Sequence, residues 1–157
     1  MTITVDVQRI MPAGPADNQF QEWIEIIMVA EKKPDTELTV RIVDETESAA
    51  LNEEYRNKTG STNVLSFPFE CPDEVELNLL GDLVICAPVV EREAKQQGKQ
   101  SQAHWAHMLV HGVLHLLGYD HIEDQDAEKM EAREVEIMAL LGFSNPYLEV
   151  IQQEIIS

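Results

Sequence analysis

The sequence predicts an α+β or α/β fold: one domain over residues 1–157, with a four-stranded mixed, mostly parallel sheet packed by helices. Three observations predict it. Alternating apolar and polar residues at 3–7 and at 38–42 flank a stretch of helical periodicity, the pattern of a parallel β-α-β unit. Two further β-type runs, 64–69 and 79–86, have no helical stretch between them and so form the natural antiparallel pair. From Pro88 onward the chain reads as helix. At 157 residues it has the size of a single domain that buries a core without staples.

The elements follow in order. Ile3, Val5 and Val7 alternate with Thr4, Asp6 and Gln8 as a half-buried strand, and Pro12 to Pro15 punctuate. Phe20, Trp23, Ile24, Ile27 and Met28 recur at helical spacing, so a helix runs from about Asp17 to Glu31 and stops before Pro34. Leu38, Val40 and Ile42 form the second strand. Thr46 is the expected cap of a short helix ending near Arg56. A polar, basic loop leads into the run 64–69, which Pro68 limits or places at an edge. Residues 71–77 are acidic and read as a surface connection. The fourth strand is expected to be interrupted at Gly81-Asp82. Pro88 suits the first turn of a helix reaching about Gly98. Ser101 is expected to cap the next helix. Asp124 is expected to cap a long one carrying Met130, Val135, Ile137, Met138 and Leu141 inward, which Gly142 stops. Asn145-Pro146 opens a last helical turn.

Composition narrows the classes. Hydrophobic residues at 44% with 25% charged are ordinary for a soluble globular protein. Cys71 and Cys86 form no metal or redox spacing and read as reduced thiols. With no secretory-type leader and no apolar run of membrane-spanning length, the expected setting is cytoplasmic, with no membrane partner. The net charge of −18 argues against non-specific nucleic-acid binding. The acid is unevenly placed, however. From Asp120 onward ten acidic residues face only Lys129 and Arg133, whereas between 87 and 110 Arg92, Lys95 and Lys99 outnumber Glu91 and Glu93.

One stretch carries chemistry. In His111-Gly112-Val113-Leu114-His115-Leu116-Leu117-Gly118-Tyr119-Asp120-His121, three imidazoles stand at relative positions 0, 4 and 10 with a glycine at 7. On a helix the first two lie one turn apart, about 6 Å along the axis. Gly118 permits a sharp turn past the helix end that brings His121 back towards them. Three neutral nitrogens with one position open are the ligand set of a catalytic zinc ion. The spacing matches the zinc-protease pattern H-E-x-x-H-x-x-G-x-x-H at every ligand and at the glycine, so the metal-binding helix is similar to that of zinc metalloproteases. The mismatch is Gly112, where those enzymes carry the glutamate base. A lone histidine on an apolar helix is ordinarily a packed one; three at this spacing point to metal. His107 continues the row but lies about 12 Å from His115 along the axis, too far to share the ion; it reads first as a packed or partly exposed histidine, and at best as one behind the ligands or facing substrate. His104 is placed more weakly still.

Arg56 to Phe69 is the second candidate segment. Arg56 and Lys58 bring positive charge ahead of an edge-type strand, and Ser66 adds a hydroxyl beside Pro68. A guanidinium fork fits phosphate oxygens. The blander expectation for Arg56 is a surface ion pair with Glu53 or Glu54.

Together the histidine stretch, Tyr55-Arg56-x-Lys58 and Thr62-Asn63-Val64-Leu65-Ser66-Phe67-Pro68 closely resemble the YbeY family of bacterial metal-dependent endoribonucleases. The resemblance runs on through Gly81-Asp82 and Ala106-His107 and covers nearly the whole chain. It implies one Zn²⁺ held by His111, His115 and His121, with Arg56 at the scissile phosphate. It also implies single-stranded ribosomal RNA as substrate, the ribosome or a small-subunit protein as partner, and a role in 16S rRNA 3′ end maturation and ribosome quality control. The loop departs from the family pattern at Asn57 and Thr59, where many members carry glycine and an acidic residue. Because Gly112 cannot accept a proton, a base from outside the motif is sought in Asp120 or Ser66, and Asp120 is alternatively an orienting group behind a ligand histidine. Two other readings remain: a zinc peptidase, opposed by Gly112, and a non-catalytic, zinc-stabilised ribosome-binding module.

Overall fold

The computed structural model describes residues 2–33, 35–69, 79–119 and 123–147. The order of elements is β1 (Thr2–Arg9), α1 (Asp17–Ala30), β2 (Asp35–Val43), α2 (Glu45–Arg56), β3 (Val64–Pro68), β4 (Leu79–Cys86), α3 (Ala87–Gln96), α4 (Ser101–Leu116) and α5 (Asp124–Leu140). The sheet runs β1-β2-β4-β3. β1, β2 and β4 are parallel, and β3 returns antiparallel on β4 with Val64 opposite Ile85 and Pro68 opposite Gly81. The expected mixed, mostly parallel sheet is thus present, with β3 at an edge where Pro68 removes no ladder bond.

Alternation along the strands sorts side chains between two faces. Leu38, Val40 and Ile42 of β2 and Leu83 and Ile85 of β4 join the main core with Phe20, Ile24 and Ile27 of α1 and Leu109, Val113 and Leu114 of α4. Val84 and Cys86 turn to the other face and pack with Val43, Leu65 and Val89 in a smaller cluster edged by Leu51 and Phe67. The free Cys86 is buried there, and burial raises its thiol pKa. α4 is buried on nearly every side, which explains its apolar composition all round.

Several boundaries differ from expectation. Asp44, not Thr46, caps α2: its carboxylate accepts from the backbone N–H of Glu47 at 2.9 Å. The extended backbone at the end of β2 puts Asp44 in position for this, with Thr46 already inside the first turn. Ser101 is the first residue of α4 rather than its cap, and its hydroxyl donates to Glu91 at 2.7 Å. Asp124 likewise begins α5, where it and Asp126 complement the positive end of the helix. β4 passes through Gly81-Asp82 without interruption; a register shift opposite Glu37 and Leu38 absorbs the irregularity. Cys71 and the segment 70–78 lie outside the described residues.

Candidate active site

The site is assembled where the edge strand β3 meets the C-terminal half of α4. Ser66 ties the two together, its hydroxyl donating to the carbonyl of Gly112 at 3.0 Å. Gly112 lets them approach: a Cβ there would sit 2.8 Å from Leu83 Cδ2 and 3.1 Å from Val64 Cγ2. The position held by glutamate in zinc proteases is here a helix–sheet contact with no room for a side chain. At its end α4 turns through Gly118, which has φ +104°. The Gly118 N–H bonds to His115 O and the Tyr119 N–H to Leu114 O, both at 3.0 Å, closing the helix in a Schellman motif.

The basic loop is pinned from below by buried polar side chains of α2. Asn52 donates to Gly60 O at 2.9 Å, while Ser48 Oγ donates to Thr62 O and accepts from Thr62 N–H, each at 3.1 Å. Asn57 takes the left-handed conformation, φ 55° and ψ 33°, at the end of α2. Asparagine tolerates this region better than other non-glycine residues, so the departure at position 57 keeps the backbone turn a glycine would make.

These elements enclose a cavity of about 690 Å³ lined by Arg56, Lys58, Ser66, His111 and His115, together with Asn52, Asn63, Gly118 and Tyr119. Among the described residues no carboxylate lines it. That is unusual in a chain of net charge −18 and leaves the hollow locally positive. Arg56 forms no ion pair with Glu53 or Glu54 among the described residues. Instead its Nη2 donates to Ser66 O at 2.5 Å, and the guanidinium lies 5.6 Å from the centre of the Phe67 ring.

The His111 and His115 rings stand with centroids 4.7 Å apart. Behind them lies Glu134 of α5, fully buried. Its Oε1 is 2.5 Å from His111 Nδ1, and its Oε2 accepts from the Tyr147 hydroxyl. Burial pushes this carboxyl up, but the groups of His107, His111 and Tyr147 around it more than reverse that and hold it at about 2. Burial and Glu134 together push the Tyr147 phenol up. An anionic Glu134 accepting from Nδ1–H fixes the His111 tautomer with Nε2 as the lone-pair nitrogen. A buried carboxylate behind a histidine is the arrangement that supports imidazole as a metal ligand. The donor set therefore fits a zinc ion as far as it is described. His121 and Asp120 lie outside the described residues, and among those described no group of three His, Cys, Asp or Glu side chains comes together as a metal site.

A family model described as Endoribonuclease YbeY matches residues 5–142. The chain belongs to the YbeY family. A YbeY relative from Methylococcus capsulatus (Bath), named Endoribonuclease YbeY, is 58% identical over 149 residues, covering 94% of this chain and 97% of that one. The solution structure of TM1509 from Thermotoga maritima superposes with a TM-score of 0.59 at 24% identity, over 97% of this chain and 91% of that one, and supports the fold alone.

Seen as a YbeY chain, the structure brings Arg56, Lys58, Ser66, His111 and His115 to one hollow. His107 is not on its wall; it is buried against Tyr147, with Nε2 3.7 Å from Glu134 Oε2, beyond hydrogen-bond range. His104 belongs elsewhere, with Nε2 3.0 Å from Glu93 and burial lowering its pKa. Sequence reasoning missed Glu134 and Tyr147. The signal for Glu134 was present: it stands midway between Met130 and Met138 on the apolar stripe of α5, where a carboxylate needs a partner.

Proposed function

We propose that this YbeY-family chain is a zinc-dependent endoribonuclease that cuts single-stranded ribosomal RNA in the cytoplasm, in 16S rRNA 3′ end maturation and ribosome quality control. The ribosome or a small-subunit protein presents the substrate. The observation that carries the reading is the hollow itself: two imidazoles and two cationic side chains around a space with no carboxylate on its described wall. Such a space suits a phosphodiester far better than a peptide, and the packed Gly112 leaves a peptidase no place for its base.

His111 and His115, with His121, would hold the ion. When bound, zinc supplies Lewis acidity toward a phosphate oxygen and lowers the pKa of water to about 7. The chain's own residues do the rest. Arg56 has spent one N–H on Ser66 O, which aims the fork, and its other donors bind the non-bridging oxygens as their charge grows. Lys58 adds a second positive charge at the rim. The Ser66 proton is committed to Gly112 O, so this hydroxyl accepts from substrate and holds β3 against α4. Tyr119 also reaches the wall, but burial and a hydrogen bond to the Glu31 carboxylate push its phenol up, so its one O–H is committed to Glu31.

The test separates binding from charge stabilisation. Arg56→Ala is expected to retain zinc while cleavage of single-stranded RNA falls ~100-fold or more, the scale of one lost transition-state donor. His111→Ala is expected to lose both. Cleavage by Arg56→Ala at the wild-type rate, or turnover of casein by nuclease-free protein, would overturn the reading.

A further inference from the structure

Two consecutive residues at the end of α2 face different spaces, and so do two consecutive residues of β3. Arg56 and Ser66 line the histidine cavity and are hydrogen-bonded to one another. Tyr55 and Phe67 line a second hollow of about 470 Å³ on the opposite face of the sheet, their rings 5.4 Å apart at an interplanar angle of 75°. The edge strand β3 is the wall between the two hollows, and Arg56 spans it, bonded to one side and lying over the Phe67 ring of the other.

Tyr55 is 57% exposed, a large ring presented to solvent on the last turn of a helix. The charged groups on the described wall of its hollow are one cation and two carboxylates. Arg41 is paired with Glu47 through two bonds of 2.5 and 3.1 Å, and Asp82 adds a further carboxylate. A phosphate gains nothing there. A flat, uncharged ring with N–H groups gains an aromatic face, together with acceptors at Asp82 and Gln8.

We propose that Tyr55 and Phe67 form a stacking subsite for a nucleobase of the RNA strand, one that flanks the phosphate held by Arg56. The occupant follows from continuity with the candidate active site: phosphate and base alternate along a single strand as the two hollows alternate across β3. This inference rests on the RNA reading given above and adds a base-recognition element to it. Base-on-aromatic stacking tolerates any sequence, so the subsite selects unpaired strands, whose bases are free to splay, over duplexes.

The experiment uses the full chain, zinc-loaded, with a single-stranded oligoribonucleotide carrying one 2-aminopurine, whose fluorescence is quenched on stacking and is read before cleavage accumulates. Wild type and Tyr55→Phe are expected to bind and quench alike. Tyr55→Ala is expected to lose the quench and bind ~10-fold more weakly, the scale of one lost stack. Circular dichroism checks that the exposed substitution leaves the fold intact, and Tyr55→Leu, which keeps bulk without a π face, should behave as the alanine variant does. Undiminished quenching and affinity in Tyr55→Ala, with wild type cleaving normally, would overturn the subsite and leave the nuclease reading standing. Wild type that neither binds nor cleaves single-stranded RNA would overturn both.

Discussion

Glu134 is the residue on which the site's chemistry turns. A carboxylate with no exposure is costly unless every oxygen is satisfied, and here His111 and Tyr147 satisfy one oxygen each. Its task is to hold the His111 ring in one orientation and one tautomer. Glu134→Gln, nearly the same shape, offers a weaker neutral acceptor. Zinc affinity, measured by competition with a chromophoric chelator, is expected to drop ~10- to 100-fold with helix content unchanged. Unaltered affinity would show that Glu134 serves packing only. At this scale the sequence was partly legible. Arg56, Lys58, Ser66, His111 and His115 could all be picked out by residue type and spacing, because donors and ligands announce themselves that way. For Glu134 the apolar stripe of α5 signals only that a carboxylate needs a partner; which partner was not legible, since it sits more than twenty residues from His111 and only the fold joins them. The expected ion pair of Arg56 with Glu53 or Glu54 failed for a related reason: the guanidinium finds a backbone carbonyl on β3, a partner no local pattern reveals.

At the scale of the element, α4 and β3 make the site by close approach. Periodicity exposed both, and the antiparallel pairing of β3 with β4 followed from the lack of a helix between them. The helix starts were less legible. Thr46, Ser101 and Asp124 have good capping chemistry but already lie within helical turns, because which polar residue caps depends on where the preceding strand or loop delivers the chain. Gly112 is the element-level control point. It reads in sequence as a missing base, and the structure adds that Leu83 and Val64 occupy the space a side chain needs. Gly112→Ala is expected to push α4 away from β3, loosen the Ser66 bond and cost about 1–3 kcal/mol in thermal or denaturant unfolding. A neutral or stabilising effect would mean that the helix and sheet separate without penalty.

Over the whole molecule the governing fact is charge. At −18 the average field repels RNA, and the hollow, with no carboxylate among the described residues of its wall, is a local exception. On the proposed reading few phosphates would be neutralised on binding, chiefly by Arg56 and Lys58. For two such contacts the logarithm of affinity for single-stranded RNA is expected to fall with that of salt with a slope of about −1.4. A slope several times steeper would require a basic surface outside this hollow. No helix among the described residues is long and apolar enough to cross a membrane. The central claim, that RNA cleavage depends on an ion gripped by the α4 histidines, is tested most directly by adding zinc stepwise to metal-stripped protein and following cleavage of a single-stranded RNA in the same samples. Activity is expected to rise in proportion to bound zinc and level off at one ion per chain. Full cleavage before any zinc is added would contradict the account.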